Sequence, residues 1–120
     1  MRPLKIYLGD LTYDTISLST EAFPLNIGFI SSYTISRFGN DVDITLFKYI
    51  DDLDKAINDS PPDILGLSNY VWCQRVDIEI FRMLLKNNPY ALTILGGPNF
   101  PLDPSSQKKI LDKYPEVDIY

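Results

Sequence analysis

Histidine is absent from this 120-residue sequence, and cysteine occurs once, at Cys73. The first absence removes His-dependent nucleophilic triads, the common zinc sites and any imidazole ligand to a metal cofactor. The second leaves no internal disulfide framework and no cysteine-rich zinc or iron–sulfur site. No apolar run approaches the roughly 18 residues that read as a membrane span, so no membrane partner is expected. Met1 to Lys5 leads straight into a strand-like segment, without a secretory apolar region or cleavage site, and a soluble cytoplasmic protein is the expectation. The formal charge is −5 with no basic block, which argues against a nucleic-acid partner. The dinucleotide fingerprint GxGxxG is missing as well.

What is present alternates between strand-like and helix-like segments. Residues 4–9 read as a first strand, followed by a polar stretch from Asp10 to Thr20. Pro24 suits the first position of a helix, where its missing N–H costs nothing. Ile27, Ile30, Thr34, Ile35 and Phe38 recur there at helical spacing, and Gly39-Asn40 is a stop. Gly28 inside this helix predicts close packing on the sheet. Residues 42–47 form a second strand, and Asp51 is the expected cap of a short helix ending before Pro61-Pro62. Residues 63–68 are apolar almost throughout, as for a strand covered on both faces. From Trp72 to Lys86 an apolar stripe of Trp72, Val76, Ile80, Phe81, Leu84 and Leu85 predicts a helix, with Arg75 and Glu79 paired on its outer side. Residues 91–95 form a fourth strand closed by Gly96-Gly97-Pro98. Asp103-Pro104 opens a further helix, and residues 117–120 begin a fifth strand.

This order predicts an α/β fold: a flavodoxin-like, Rossmann-like five-stranded parallel sheet, order 2-1-3-4-5, with the last helix missing. The whole of 1–120 then reads as one domain, truncated from a longer protein. A bare strip on one sheet face is expected, and with it self-association of the fragment. In such sheets ligands bind at the carboxyl ends of the strands. That edge gathers Asp10, Leu11 and Thr12 after strand 1, Ser68, Asn69, Tyr70 and Val71 after strand 3, and Gly96, Gly97 and Pro98 after strand 4.

A receiver-type phosphoacceptor fails here, because Ser68-Asn69-Tyr70 stands where an aspartate is needed. A flavodoxin-type phosphate loop would use residues 12–17, which are hydroxyl-rich but contain no glycine to let backbone amides approach a phosphate. Flavin or nucleotide binding stays an alternative, as does a degenerate α/β domain that serves protein contact alone. A large flat cofactor suits the edge better. Gly96-Gly97 offers backbone without side chains, Ser68 a hydroxyl, and Tyr70, Val71 and Trp72 an apolar surface for a ring system. The plainer readings are Ser68 as a helix cap, Tyr70 and Trp72 as core aromatics, Gly96-Gly97 as a tight turn, Asp10 and Asp14 as loop caps, and Cys73 as an inert thiol.

Residues 61–72, PPDILGLSNYVW, together with 92–101, LTILGGPNFP, resemble the N-terminal cobalamin-binding domain of B12-dependent radical SAM proteins. The Pro-Leu-x-Ile-Gly opening at Pro24 to Gly28 is similar to that family too. The resemblance implies that Ser68 contacts the dimethylbenzimidazole tail and that Gly96 and Gly97 let the tail enter. Related B12 domains carry Asp-x-His-x-x-Gly after strand 1, whereas Asp10 to Asp14 has no histidine. The resemblance therefore implies cobalamin bound base-off, without an imidazole from this chain on the cobalt. A parent protein would add S-adenosylmethionine and a 4Fe-4S cluster on a downstream radical SAM barrel. Methyl transfer or a related radical reaction would occur there. This segment would hold the corrinoid and catalyse nothing alone.

Overall fold

A computed structural model describes residues 1–12 and 24–120. The expectations for Tyr13, Asp14 and the hydroxyl-rich stretch to Ser17 lie outside the described residues. The chain runs β1 (Leu4–Thr12), α1 (Leu25–Phe38), β2 (Val42–Tyr49), α2 (Ile50–Asp59), β3 (Ile64–Ser68), α3 (Gln74–Asn87), β4 (Leu92–Gly96) and α4 (Pro104–Lys113). The four strands form one parallel sheet in the order β2-β1-β3-β4, the flavodoxin-like arrangement in general.

The period-2 alternation of β1 divides its side chains between two layers. Tyr7 and Leu11 join Leu65, Leu67 and Leu95 beneath α2 and α3, which add Leu53, Ile57, Phe81 and Leu84, all four wholly buried. Burying each such side chain stabilises the fold by about 1.5–3 kcal/mol. On the other face Ile6 and Leu8 pack with Ile27 of α1, flanked by Val42, Ile44 and Ile64. Leu4, Leu46 and Ile119 remain exposed.

Several expectations need correction. The fifth strand is an isolated bridge, Ile94 to Ile119, so the sheet has four strands among the described residues. Ile119 donates to the Thr93 carbonyl (3.1 Å) and accepts from the Leu95 N–H (2.9 Å), but the Asp118 carboxylate takes the Thr93 N–H (2.9 Å), so pairing does not extend toward Val117. Helix α2 begins at Ile50, capped by the extended Tyr49 rather than by Asp51. Helix α1 begins at Leu25, with Pro24 in the cap position. A Cβ placed on Gly28 would meet nothing within 4 Å, so this glycine does not serve contact with the sheet. Glu79 pairs with Arg82, one helical turn on, and Arg82 also reaches Glu116 at 2.7 Å, in place of the expected Arg75 pair. The Asp103-Pro104 start is as expected: the Asp103 carboxylate accepts from the Ser106 N–H at 2.8 Å and Pro104 opens α4. Among the described residues no helix is long and apolar enough to cross a membrane.

Candidate functional site

The parallel register brings three strand ends to one edge. Gly9 lies beside Leu67, and Ser68 beside Gly96. Pairing continues one residue past β3, where the Asn69 N–H donates to the Gly96 carbonyl at 2.6 Å. The chain then turns through residues 70–73, with the Cys73 and Gln74 N–H groups both donating to the Tyr70 carbonyl. This turn delays α3 to Gln74 and lifts residues 70–72 off the sheet. Trp72 is therefore 67% exposed and Val71 78% exposed, which overturns the reading of Trp72 as the start of a buried stripe. The Tyr70 and Trp72 rings stack face to face, 4.8 Å between centroids and 2° from parallel. A flat apolar shelf results at the strand ends.

The two glycines play different parts. Gly97 has φ +132, and a Cβ there would sit 2.7 Å from the backbone oxygen of Asn69, so close chain approach dictates glycine. Gly96 is exposed, and among the described residues a Cβ on it would meet nothing within 4 Å. Only Gly96 offers unfilled space to a visitor. The loop behind it is pinned by Tyr120, whose hydroxyl accepts from Asn69 Nδ2 (3.0 Å) and donates to the Gly97 carbonyl (3.2 Å), while its ring stacks on Phe100 at 3.8 Å.

Ser68 is buried, and its Oγ accepts from Asn26 Nδ2 at 2.7 Å. It does not cap α3, whose cap residue is Cys73. Asn26 is the unspecified residue within Pro-Leu-x-Ile-Gly, so sequence reasoning passed over it. Its Oδ1 caps the Ile27 N–H at 2.8 Å, which orients the amide toward the strand ends. Burial raises the Asp10 carboxyl above the usual range, and its hydrogen bond with Asn26 offsets part of that. Asp10, Asn26 and Ser68 thus form one polar row. Leu11 turns away into the α2–α3 core, and Thr12 pairs with Tyr49 toward the β2 edge, so neither joins this row. Pro98 is exposed beside Gly97.

Beneath the shelf lies a buried group that sequence reasoning also missed. Asp77, in the first turn of α3, is wholly buried. One carboxylate oxygen lies 3.5 Å from Cys73 Sγ and the other has no partner among the described residues. Burial, with a smaller contribution from Asp10, pushes the carboxyl up to about 7. The same burial pushes the Cys73 thiol up to about 11, so it is inert as expected. Asn69 Oδ1 is a second buried acceptor without a described partner.

Concavities elsewhere do not coincide with this edge: one of about 560 Å³ is lined by Arg2, Leu4 and Asp63 at the opposite end of the strands, another of about 380 Å³ lies between α2 and α3. Among the described residues no group of three or more Cys, Asp or Glu is placed to hold a metal ion.

No family model matches the chain. Two curated proteins are similar to part of it. A 58-residue stretch, 48% of this chain, is 34% identical to the cobalamin-dependent radical SAM methyltransferase TokK of Streptomyces tokunonensis. A stretch of the same length and identity matches the 2-(S-pantetheinyl)-carbapenam-3-carboxylate methyltransferase of Streptantibioticus cattleyicolor. In both cases the matched stretch is 8% of the relative's own length. The likeness is partial, and one of the two relatives is named as a cobalamin-dependent radical SAM protein.

Proposed function

We propose that this chain is a corrinoid-binding module that holds cobalamin base-off, with the ring over the Tyr70–Trp72 shelf and the nucleotide tail entering across Ser68 and Gly96. The observation that carries the reading is the open space above Gly96 next to the Ser68 hydroxyl, at the carboxyl edge of a parallel sheet. The partial likeness to a protein named as a cobalamin-dependent radical SAM methyltransferase supports the same choice of ligand.

The residues fit such a group. A broad flat ring needs an exposed flat apolar surface, and the stacked pair supplies one. A trailing tail needs a lane without side chains, and Gly96 supplies it. Asn26 donates to Ser68 Oγ, so the hydroxyl can direct its own proton to an acceptor on the tail. The given sequence contains no histidine, so a base-off cobalamin held here would have no imidazole from this chain on the cobalt. Bound methylcobalamin would supply a transferable methyl group. This chain's residues would bind, orient and shield the ring, and residues of a downstream radical SAM barrel, with S-adenosylmethionine and a 4Fe-4S cluster, would use it.

Absorbance titration with hydroxocobalamin tests the reading, with Gly96→Trp as the blocked variant. Saturable binding by the native chain and at least ~100-fold weaker binding by Gly96→Trp, with an unchanged melting temperature, is expected. Equal binding by both proteins would remove the tail from this edge. Trp72→Ala should weaken binding about 10-fold, because it deletes half of the shelf. Its own unfolding free energy should move by about 1 kcal/mol, the loss of the stack on Tyr70, since the side chain is otherwise largely exposed.

A further inference from the structure

The hydrogen bonds around Ser68 leave one group over, its hydroxyl proton. Side chains alternate along a strand. Leu8 packs on the α1 side of the sheet, whereas Leu11, Leu67 and Leu95 pack on the α2–α3 side. Asp10, Ser68 and Gly96 therefore all face α1. Asn26, in the first turn of α1, touches two of them. Its Nδ2 donates to Ser68 Oγ at 2.7 Å, and the Asp10 carboxyl also accepts from its side chain.

This amide has one workable orientation. Asn26 Oδ1 accepts from the Ile27 N–H at 2.8 Å. Reversing the amide would set its NH2 against that N–H and its oxygen against an oxygen of Asp10, donor to donor and acceptor to acceptor. Asn26 therefore meets Ser68 as a donor, and Ser68 Oγ spends a lone pair on it. A hydroxyl has one proton besides its lone pairs. Among the described residues nothing accepts that proton, and the Asp10 carboxyl is engaged by Asn26, not by Ser68. Beside it lies the open space over Gly96, the strand partner of Ser68. A buried donor is costly to leave unpaired, so this space suits a group that brings an acceptor.

We propose that Asn26 is a positioning residue that fixes the Ser68 hydroxyl as a donor, so that the lane over Gly96 favours corrinoids with a nitrogen-heterocycle tail over those with a phenol tail. This rests on the corrinoid reading and states which tails it takes. A benzimidazole that has left cobalt keeps an in-plane lone pair on the freed nitrogen, which needs a donor once it is buried. A phenol tail, joined to its ribose through oxygen, has no such nitrogen and leaves the Ser68 proton unpaired. A site built to make one hydrogen bond discriminates in this way against a ligand that lacks the partner atom.

Anaerobic calorimetry with cob(II)alamin and with Co(II) p-cresolylcobamide tests it, read as the ratio of the two dissociation constants in each protein. The cost of taking the base off cobalt belongs to the free ligand and cancels between proteins, as does any general loss of ring binding. Asn26→Asp keeps an oxygen for the Ile27 N–H and puts an acceptor in place of the donor, which draws the Ser68 proton away from the lane. Asn26→Asp and Ser68→Ala should each shift the ratio at least ~10-fold away from cobalamin, and the double variant no further than Ser68→Ala. A ratio that is the same in all the proteins overturns the inference. So does one that moves with Ser68→Ala and not with Asn26→Asp. Both results leave the corrinoid reading standing, whereas a native chain that binds neither corrinoid overturns the two together.

Discussion

Gly97→Ala is expected to lose about 2–4 kcal/mol of stability, while Gly96→Ala next to it stays within about 0.5 kcal/mol of the native chain in urea unfolding. The difference follows from two backbones. Gly97 holds φ +132, which side chains rarely adopt, and its Cβ would stand 2.7 Å from the Asn69 carbonyl oxygen. That oxygen belongs to backbone whose N–H is bound to the Gly96 carbonyl, so it cannot withdraw without opening the β3–β4 edge. The same movement would break the Tyr120 hydroxyl away from the Gly97 carbonyl. Gly96 has neither constraint. If both alanine variants proved equally stable, the close approach of Gly97 to Asn69 would be wrong. A tail lane on Gly96 alone would then lose its basis.

The second large effect is a dependence of stability on pH that runs opposite to the usual carboxylate trend. Asp77 in the folded chain titrates near 7, against the ordinary value of 3.8 that the unfolded chain restores. Between these values the folded state keeps a proton that the unfolded state has lost. Stability therefore falls as pH rises from about 4 to about 7 and levels off above that, by up to about 4 kcal/mol. Asp10, raised in the same direction, adds to the slope, and Cys73 and Tyr120, the other titratable groups near Asp77, stay protonated over this window. Asp63 acts at the other end: Arg2 lowers its carboxyl to about 2, so that contribution is lost only as pH drops below about 4. Asp77→Asn keeps the shape of the neutral acid. Urea unfolding near pH 3.5 should find it close to native, at pH 5 about 1.5 kcal/mol more stable and at pH 8 about 4 kcal/mol more stable. Parallel profiles for the two proteins would mean that Asp77 is charged in the fold.

Four of the five expected strands and their order were legible because their apolar runs are short, three of them ending at Gly9, Asn69 and Gly96, and because helical spacing fills the gaps between runs. The carboxyl-edge location followed from that order. Local handovers were not legible. Trp72 continues the α3 stripe in spacing, but the turn at residues 70–73 removes it from the helix and stacks it on Tyr70. Gly96 and Gly97 read alike in sequence, and only the approach of Asn69 separates a required glycine from an open one. Asn26 carried no signal because its role depends on Ser68, 42 positions away. Asp77 gave no signal either, because its burial in the first turn of α3 depends on tertiary packing. Residues 117–120 had the apolar pattern of a strand, and pairing stops at one bridge because the Asp118 carboxylate takes the Thr93 N–H.

The central claim is that a nucleotide tail enters across Ser68 and Gly96, and cobinamide, which has the corrin ring without that tail, isolates it. Anaerobic calorimetry should be run with cob(II)alamin and with cob(II)inamide, and EPR recorded on the first complex. Cobalamin binding at least ~100-fold tighter than cobinamide, in a spectrum lacking nitrogen coupling from the dimethylbenzimidazole, is the predicted result. Equal affinity for the two corrinoids, or a bound cobalamin that keeps its own base on cobalt, would contradict the account.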